Sequence, residues 1–130
     1  MTGPAPPQSS RRMLAVVDDD SAVRGSLQFS LELEGYEVRV FSDAGELLND
    51  PATAHFDCII VDQNLPTFDG LQLVARLRDR SIAAPVILIT SQPSEFLARR
   101  ALSAGISIVE KPLLDNALAD RIQSLLKCRG

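Results

Sequence analysis

Asp18, Asp19 and Asp20, a single Asp62, Thr90 and Lys111 each stand where a short apolar run stops. Ala15-Val16-Val17 runs into the three aspartates, Cys58-Ile59-Ile60-Val61 into Asp62, Val86-Ile87-Leu88-Ile89 into Thr90, and Ile106 to Glu110 into Lys111-Pro112. Three carboxylates brought together repel one another unless a cation sits among them. An oxygen-only donor set suits Mg2+, which takes a few carboxylates and keeps several waters or substrate oxygens. Asp18, Asp19 and Asp62 are the candidate ligands, while Asp20 reads as a helix cap because a helix starts just after it. A carboxylate such as Asp62 can also act as a nucleophile toward phosphorus and form an aspartyl phosphate. The cation would then neutralise the phosphoryl oxygens during in-line transfer. Lys111, a point charge on a flexible stem, can pair with a carboxylate or a phosphoryl oxygen, and Thr90 can offer a hydroxyl to the same oxygen.

Such a constellation needs a scaffold that brings four strand ends together. Short continuous apolar runs read as strands buried on both faces. Strands are expected near 13–18, 37–41, 57–62, 85–90 and 106–110, and helices near 21–34, 43–50, 69–79, 94–104 and 114–127. Strict alternation with short connections implies a parallel sheet covered on both faces, an α/β architecture. In open sheets of this kind ligands bind at the carboxyl ends of the strands. Asp20 or Ser21 can cap the first helix and Ser42 or Asp43 the second. Gly35 and Gly105 suit C-terminal caps. Val23, Leu27 and Leu31 form a helical stripe that Phe29 and Leu33 are expected to widen, and Leu114, Leu118, Ile122 and Leu125 form another in the last helix. Glu37-Val38-Arg39-Val40-Phe41 alternates, as an edge strand does.

The chain has 130 residues, 45% hydrophobic and 23% charged, which fits one soluble domain with a substantial core. Residues 1–12, with Pro4, Pro6 and Pro7, read as a disordered leader, and 13–128 as the domain. A net charge of −4 argues against direct nucleic-acid binding. The Arg11-Arg12 and Arg99-Arg100 pairs read as solvated surface. No apolar run approaches bilayer length, and the leader lacks the apolar core of a secretory signal. Cys58 and Cys128 are too few for a disulfide framework or zinc site, so a reducing cytoplasm is expected, with Cys58 packing as a small hydrophobe. His55, the single histidine, reads as an exposed turn residue, and Tyr36 as a packing or rim residue. Phe96 and Leu97 face either the core or a partner.

The segments Val16-Val17-Asp18-Asp19-Asp20, Val61-Asp62-Gln63-Asn64-Leu65-Pro66 with Asp69-Gly70, Ile89-Thr90-Ser91, and Ala104-Gly105 followed by Glu110-Lys111-Pro112 together resemble the receiver domain of bacterial two-component response regulators. The resemblance runs from about Leu14 to Leu126. Asp18 to Leu27 and Gly105 to Leu113 look closest to the FixJ type of receiver. The resemblance implies a doubly wound, five-stranded parallel sheet in the order 2-1-3-4-5 with five flanking helices, the flavodoxin-like order shared by the chemotaxis receiver. It implies Asp62 as phosphoacceptor and Asp18 and Asp19 as the metal-binding pair, Asp19 the more direct ligand. It further implies that the backbone carbonyl of Asn64 joins the shell of Mg2+, with Mn2+ as an alternative. Thr90 becomes the switch hydroxyl, with Ser91 the small residue after it. The resemblance also implies that Lys111 contacts the phosphorylated aspartate and that the Lys111–Pro112 bond is cis. Gly70 fits the turn before the third helix. The side chains of Asn64 and Gln92 occupy positions that tune phosphoryl lifetime.

One departure stands out. The family commonly carries Tyr or Phe three residues before the lysine, where this chain has Ile108. An aliphatic side chain makes no comparable swing, so coupling would rest on Thr90, the loop after it and the fourth helix. The implied function is a phosphorelay module, active only in its own phosphorylation and dephosphorylation. It would be fed by a sensor histidine kinase or histidine phosphotransfer protein and read by a target protein on the face of the fourth helix, fifth strand and fifth helix, or by a second copy. Alternative readings are the receiver of a longer DNA-binding transcription regulator and an Mg-dependent aspartyl-phosphate phosphohydrolase. Such hydrolases carry an acid/base aspartate where Asn64 stands here. A flavodoxin-like cofactor binder is disfavoured because acidic residues occupy the place of a phosphate-cradling glycine loop.

Overall fold

A computed structural model describes residues 12–65, 69–111 and 116–129. Five strands, β1 (Met13–Val17), β2 (Glu37–Phe41), β3 (Cys58–Asp62), β4 (Val86–Thr90) and β5 (Ser107–Glu110), alternate with five helices, α1 (Ser21–Leu33), α2 (Ala44–Asn49), α3 (Gly70–Asp79), α4 (Glu95–Ser103) and α5 (Ala117–Arg129). A 3-10 turn, Thr53–His55, precedes β3. All strand pairs are parallel and the order is β2-β1-β3-β4-β5, as the alternation and the resemblance imply.

Side chains alternate across a strand, so each central strand feeds two cores. Ala15, Val17, Ile59, Val61 and Leu88 pack with α2, α3 and α4. Leu14, Val16, Ile60, Ile87 and Ile89 pack with Leu27 and Leu31 of α1 and Leu118, Ile122 and Leu126 of α5. Every residue of β3 and β4 is buried, which explains their unbroken apolar runs. The edge strand β2 buries Val38 and Phe41 and exposes Arg39.

The helix boundaries follow local chemistry. Asp20 caps α1 by accepting from the N–H groups of Ala22 and Val23, and Asp43 caps α2 by accepting from Glu46. Asp69 and Gln72 form a reciprocal capping box at α3. Gly35 and Gly105, at φ of 99° and 72°, take the left-handed turns that follow α1 and α4. Gly70 differs from its expected role. It is the first residue of α3, and what it supplies is space: a Cβ there would lie 2.5 Å from Leu88 Cδ2 and 3.0 Å from Gln63 Oε1. The missing side chain lets α3 start hard against β4.

The expected apolar face of α1 is narrower than its sequence implies. Leu27 and Leu31 are buried and Val23 packs beside them, but Phe29 and Leu33 are 66% and 73% exposed. At 3.6 residues per turn they fall roughly 200° and 240° around the helix from Leu27, on its outward side. The fifth-helix stripe holds at Leu118, Ile122 and Leu125, with Leu126 also buried. Its expected first member, Leu114, lies outside the described residues, as do Pro112, for which a cis bond is expected, and residues 1–11.

Candidate functional site

The parallel register carries the chemistry-bearing residues to one edge. Val17 is level with Val61, Asp62 with Ile89, and Thr90 with Glu110. Main-chain bonds continue the ladder past the strand ends: Asp18 N–H to Phe41 O at 3.1 Å, Gln63 N–H to Ile89 O at 3.0 Å and Lys111 N–H to Thr90 O at 2.8 Å. Asp18, Asp62, Thr90 and Lys111 are therefore placed by the sheet itself.

Carboxylate oxygens of Asp18, Asp19 and Asp62 all lie within 4.8 Å of one another. Asp18 is 1% exposed and Asp62 6%, whereas Asp19 faces solvent. Lys111 Nζ sits 3.5 Å from Asp18 Oδ2 and 3.5 Å from Asp62 Oδ1. One ammonium against three carboxylates leaves an excess of negative charge in a low-dielectric edge. Burial pushes the Asp62 carboxyl above the usual carboxylate range, and Asp18 pushes it further. The Asn64 N–H and Lys111 oppose both effects without cancelling them. A hard, oxygen-only, electron-rich cluster that one lysine leaves undercompensated fits a small divalent cation.

The β1–α1 turn that carries two of these carboxylates is closely braced. Asp18 Oδ1 accepts from Asp20 N–H at 2.9 Å, and Asp20 Oδ1 accepts from Ala22 N–H at 2.9 Å. Asp62 Oδ1 accepts from Asn64 N–H at 3.3 Å. Across the site Thr90 is 2% exposed, and its hydroxyl oxygen accepts from Gln92 N–H at 3.2 Å, which leaves its proton free to donate. Ser91 and Gln92 are exposed. A polar recess of about 360 Å3 opens beside Thr90, lined by Gln63, Asn64, Gln72, Gln92 and Phe96 among others. The buried Gln63 Oε1 has no hydrogen-bond partner among the described residues. Ile108 is level with Leu88 on the edge strand, half-buried against the α2–α4 side of the core.

The remaining candidates separate cleanly. Leu97 belongs to the core and Phe96 to the surface, with the Arg100 guanidinium 5.6 Å from the Phe96 ring centre. Arg99 pairs with Glu95 at 2.8 Å on the exposed face of α4, and Arg12 lies 3.7 Å from Asp57. His55 is exposed in its turn, Tyr36 packs at the rim of the α1–α5 side, and Cys58 is buried in β3. Two residues escaped sequence reasoning. Gln63 gave no signal beyond its polarity. Arg24 did, because a cation in the opening turn of a helix opposes the helix dipole and calls for a specific partner.

No described helix is long and apolar enough to cross a membrane. The fold and the edge together define a class, and a family model for the response regulator receiver domain matches residues 14–123. The chain belongs to that family, the receiver domains of two-component response regulators, whose members serve signalling rather than metabolic catalysis. It is similar to the transcriptional regulatory protein FixJ of Bradyrhizobium diazoefficiens, 33% identical over 113 residues that cover 86% of this chain and 55% of the relative. It is also similar to the transcriptional regulatory protein PrrA of Mycobacterium leprae, 37% identical over 94% of this chain and 52% of the relative. The chain thus spans about half the length of the curated relatives it matches. Among solved structures it resembles the Francisella response regulator 1452 receiver domain, with a TM-score of 0.84, 27% identity, and coverage of 92% of this chain and 100% of that one. The Vibrio cholerae chemotaxis protein CheY4 matches with a TM-score of 0.82, 27% identity, and coverage of 89% and 99%.

Proposed function

We propose that this receiver takes a phosphoryl group onto Asp62 from the phosphohistidine of a sensor histidine kinase or a histidine phosphotransfer protein. The observation that carries the reading is the nearly buried Asp62 carboxylate clustered with Asp18 and Asp19, with Lys111 Nζ 3.5 Å from both Asp62 and Asp18. An Asp62 oxygen attacks phosphorus in line, the phosphorus–nitrogen bond breaks, and the imidazole departs with the electron pair. Asp18, Asp19, Asp62 and the Asn64 carbonyl would hold Mg2+, or Mn2+ in its place. When bound, the cation neutralises charge on the phosphoryl oxygens. Lys111 exchanges its pairing with the Asp62 carboxylate for pairing with a phosphoryl oxygen. Thr90 turns its free proton to another such oxygen, and the small side chain of Ser91 leaves room for that movement.

The message then leaves through the β4–α4 loop and α4, because Ile108 has no aromatic ring to move. Asn64 and Gln92 flank the attacking direction of water and so set the lifetime of the phosphoryl group. Residues 13–128 act as one signalling domain behind the leader, in the cytoplasm. The output is contact with a target protein on the α4, β5 and α5 face, or with a second copy. A second reading is favoured by one observation. The relatives are transcriptional regulators about twice as long, so this receiver would also serve as the regulatory half of such a protein.

A small-molecule phosphodonor with Mg2+ should label the wild-type protein and leave Asp62→Asn unlabelled, read by intact-protein mass. Equal labelling of both removes Asp62 from the role.

A further inference from the structure

Arg24 lies in the opening turn of α1, a place where the helix dipole disfavours a cation. Its guanidinium reaches back six residues, and Nη1 donates to the main-chain carbonyl of Asp18 at 2.7 Å in a half-buried setting. Its own backbone N–H donates to Asp20 O at 3.0 Å. That second bond is the ordinary first turn of the helix, so what the Arg24 side chain itself adds is the bond to the Asp18 carbonyl. The Asp18 carbonyl belongs to the peptide plane that leads into Asp19, so the bond sets the direction in which Asp19 leaves the strand. The Asp18 side chain is tied by Asp20 N–H and by Lys111, and the Asp18 N–H by Phe41 O. Asp19 is the exposed member of the cluster, and the strut on its preceding carbonyl comes from Arg24.

We infer that Arg24 is a positioning residue for the cation site: its guanidinium, bonded to the Asp18 carbonyl, holds the Asp18–Asp19 turn so that both carboxylates converge with Asp62. This rests on the acidic cluster being the Mg2+ site. Arg24 itself touches neither the cation nor the phosphoryl group. Geometry and charge at Arg24 act on Mg2+ affinity in opposite directions. Removing a cation near a cation site strengthens Mg2+ binding by Coulomb's law. Removing a bond that orients a ligand weakens it, typically by about 10–100-fold for outer partners of metal ligands.

The experiment is a calorimetric Mg2+ titration of the full chain with wild type, Arg24→Met, Arg24→Gln, Arg24→Lys and Asp19→Asn. Melting of each variant in metal-free buffer establishes that it is folded. Arg24→Met and Arg24→Gln should bind Mg2+ about tenfold more weakly or worse. Arg24→Lys, which retains a charged donor on a long stem, should recover part of the loss. Unchanged or tighter binding in the neutral variants overturns the proposal. If Arg24→Met does not fold, the polar Arg24→Gln decides by the same criterion. Failure of the underlying site shows separately, as a wild type that binds no Mg2+ or an Asp19→Asn that binds it as well as wild type.

Discussion

The β1–α1 turn and the β4–α4 turn both reach Asp62, yet they are held differently. In the first, Asp18 is fixed through its N–H, its carbonyl and both carboxylate oxygens, and Asp20 closes the helix behind it. In the second, Thr90 accepts a single long bond from Gln92, and a polar recess lined by Gln63 and Gln92 opens beside it. The acidic side is preorganised for charge, and the hydroxyl side retains room to move. That division suits a site whose chemistry must be constant while its readout changes.

The largest expected effect tests the acidic side. Millimolar Mg2+ should raise the melting temperature of wild type by relieving repulsion in the cluster. Asp19→Asn should melt higher than wild type without metal and lose most of the Mg2+-dependent gain. A wild type indifferent to Mg2+ beside a stabilised Asp19→Asn would mean repulsion without a metal site. The hydroxyl side is tested next by Gly70→Ala, which places a methyl group against Leu88 and Gln63. Overpacking there should cost about 1–3 kcal/mol in urea unfolding. The new methyl group meets Leu88 of β4 and Val61 and Gln63 beside Asp62, but nothing on β1, so Asp18 and Asp19 stay in place and Mg2+ affinity should fall far less than stability. If Mg2+ binding falls in step with stability, the two sides are one rigid unit and the contrast fails.

The smallest effect is a pH dependence. Folding raises the Asp62 carboxyl through burial and through Asp18, so the native state holds its proton more tightly than the unfolded chain. Its contribution is fully present below the ordinary carboxylate value of about 3.9 and is lost as pH rises through the elevated native value. At neutral pH ionised Asp62 is therefore a cost. Asp62→Asn should stabilise the metal-free protein at pH 7, and its advantage should shrink as pH falls toward the acid range. A constant advantage across pH would show that the gain is not titration of Asp62.

Much of this molecule was legible from local pattern. The strands stand within a residue or so of expectation because each apolar run is bounded by a cap, a glycine or a charged group, all short-range signals. Asp20 and Asp43 cap their helices and Gly35 and Gly105 end theirs for the same reason. The α1 face was misread at Phe29 and Leu33. Counting apolar residues along a helix ignores the angle each one occupies, and Phe29 and Leu33 lie roughly 200° and 240° from Leu27, away from the stripe that packs on the sheet. Phe96 and Leu97 are adjacent and of similar hydrophobicity, and the sheet assigns one to each side of α4.

By itself the sequence determined the alternation of strands and helices, the kind of residue at each strand end, and hence the family. Those follow from chain-local propensity and spacing. The tertiary structure decided what those ends do to one another. It brings Asp18, Asp19, Asp62 and Lys111 within a few ångströms, leaves Asp62 short of compensation, and turns Arg24 back onto the Asp18 carbonyl. Such relations arise from the parallel pairing of β1, β3, β4 and β5, which brings Lys111 to Asp18 across 93 residues of chain, and from the packing of α1 on the sheet, long-range geometry that no local window of sequence contains.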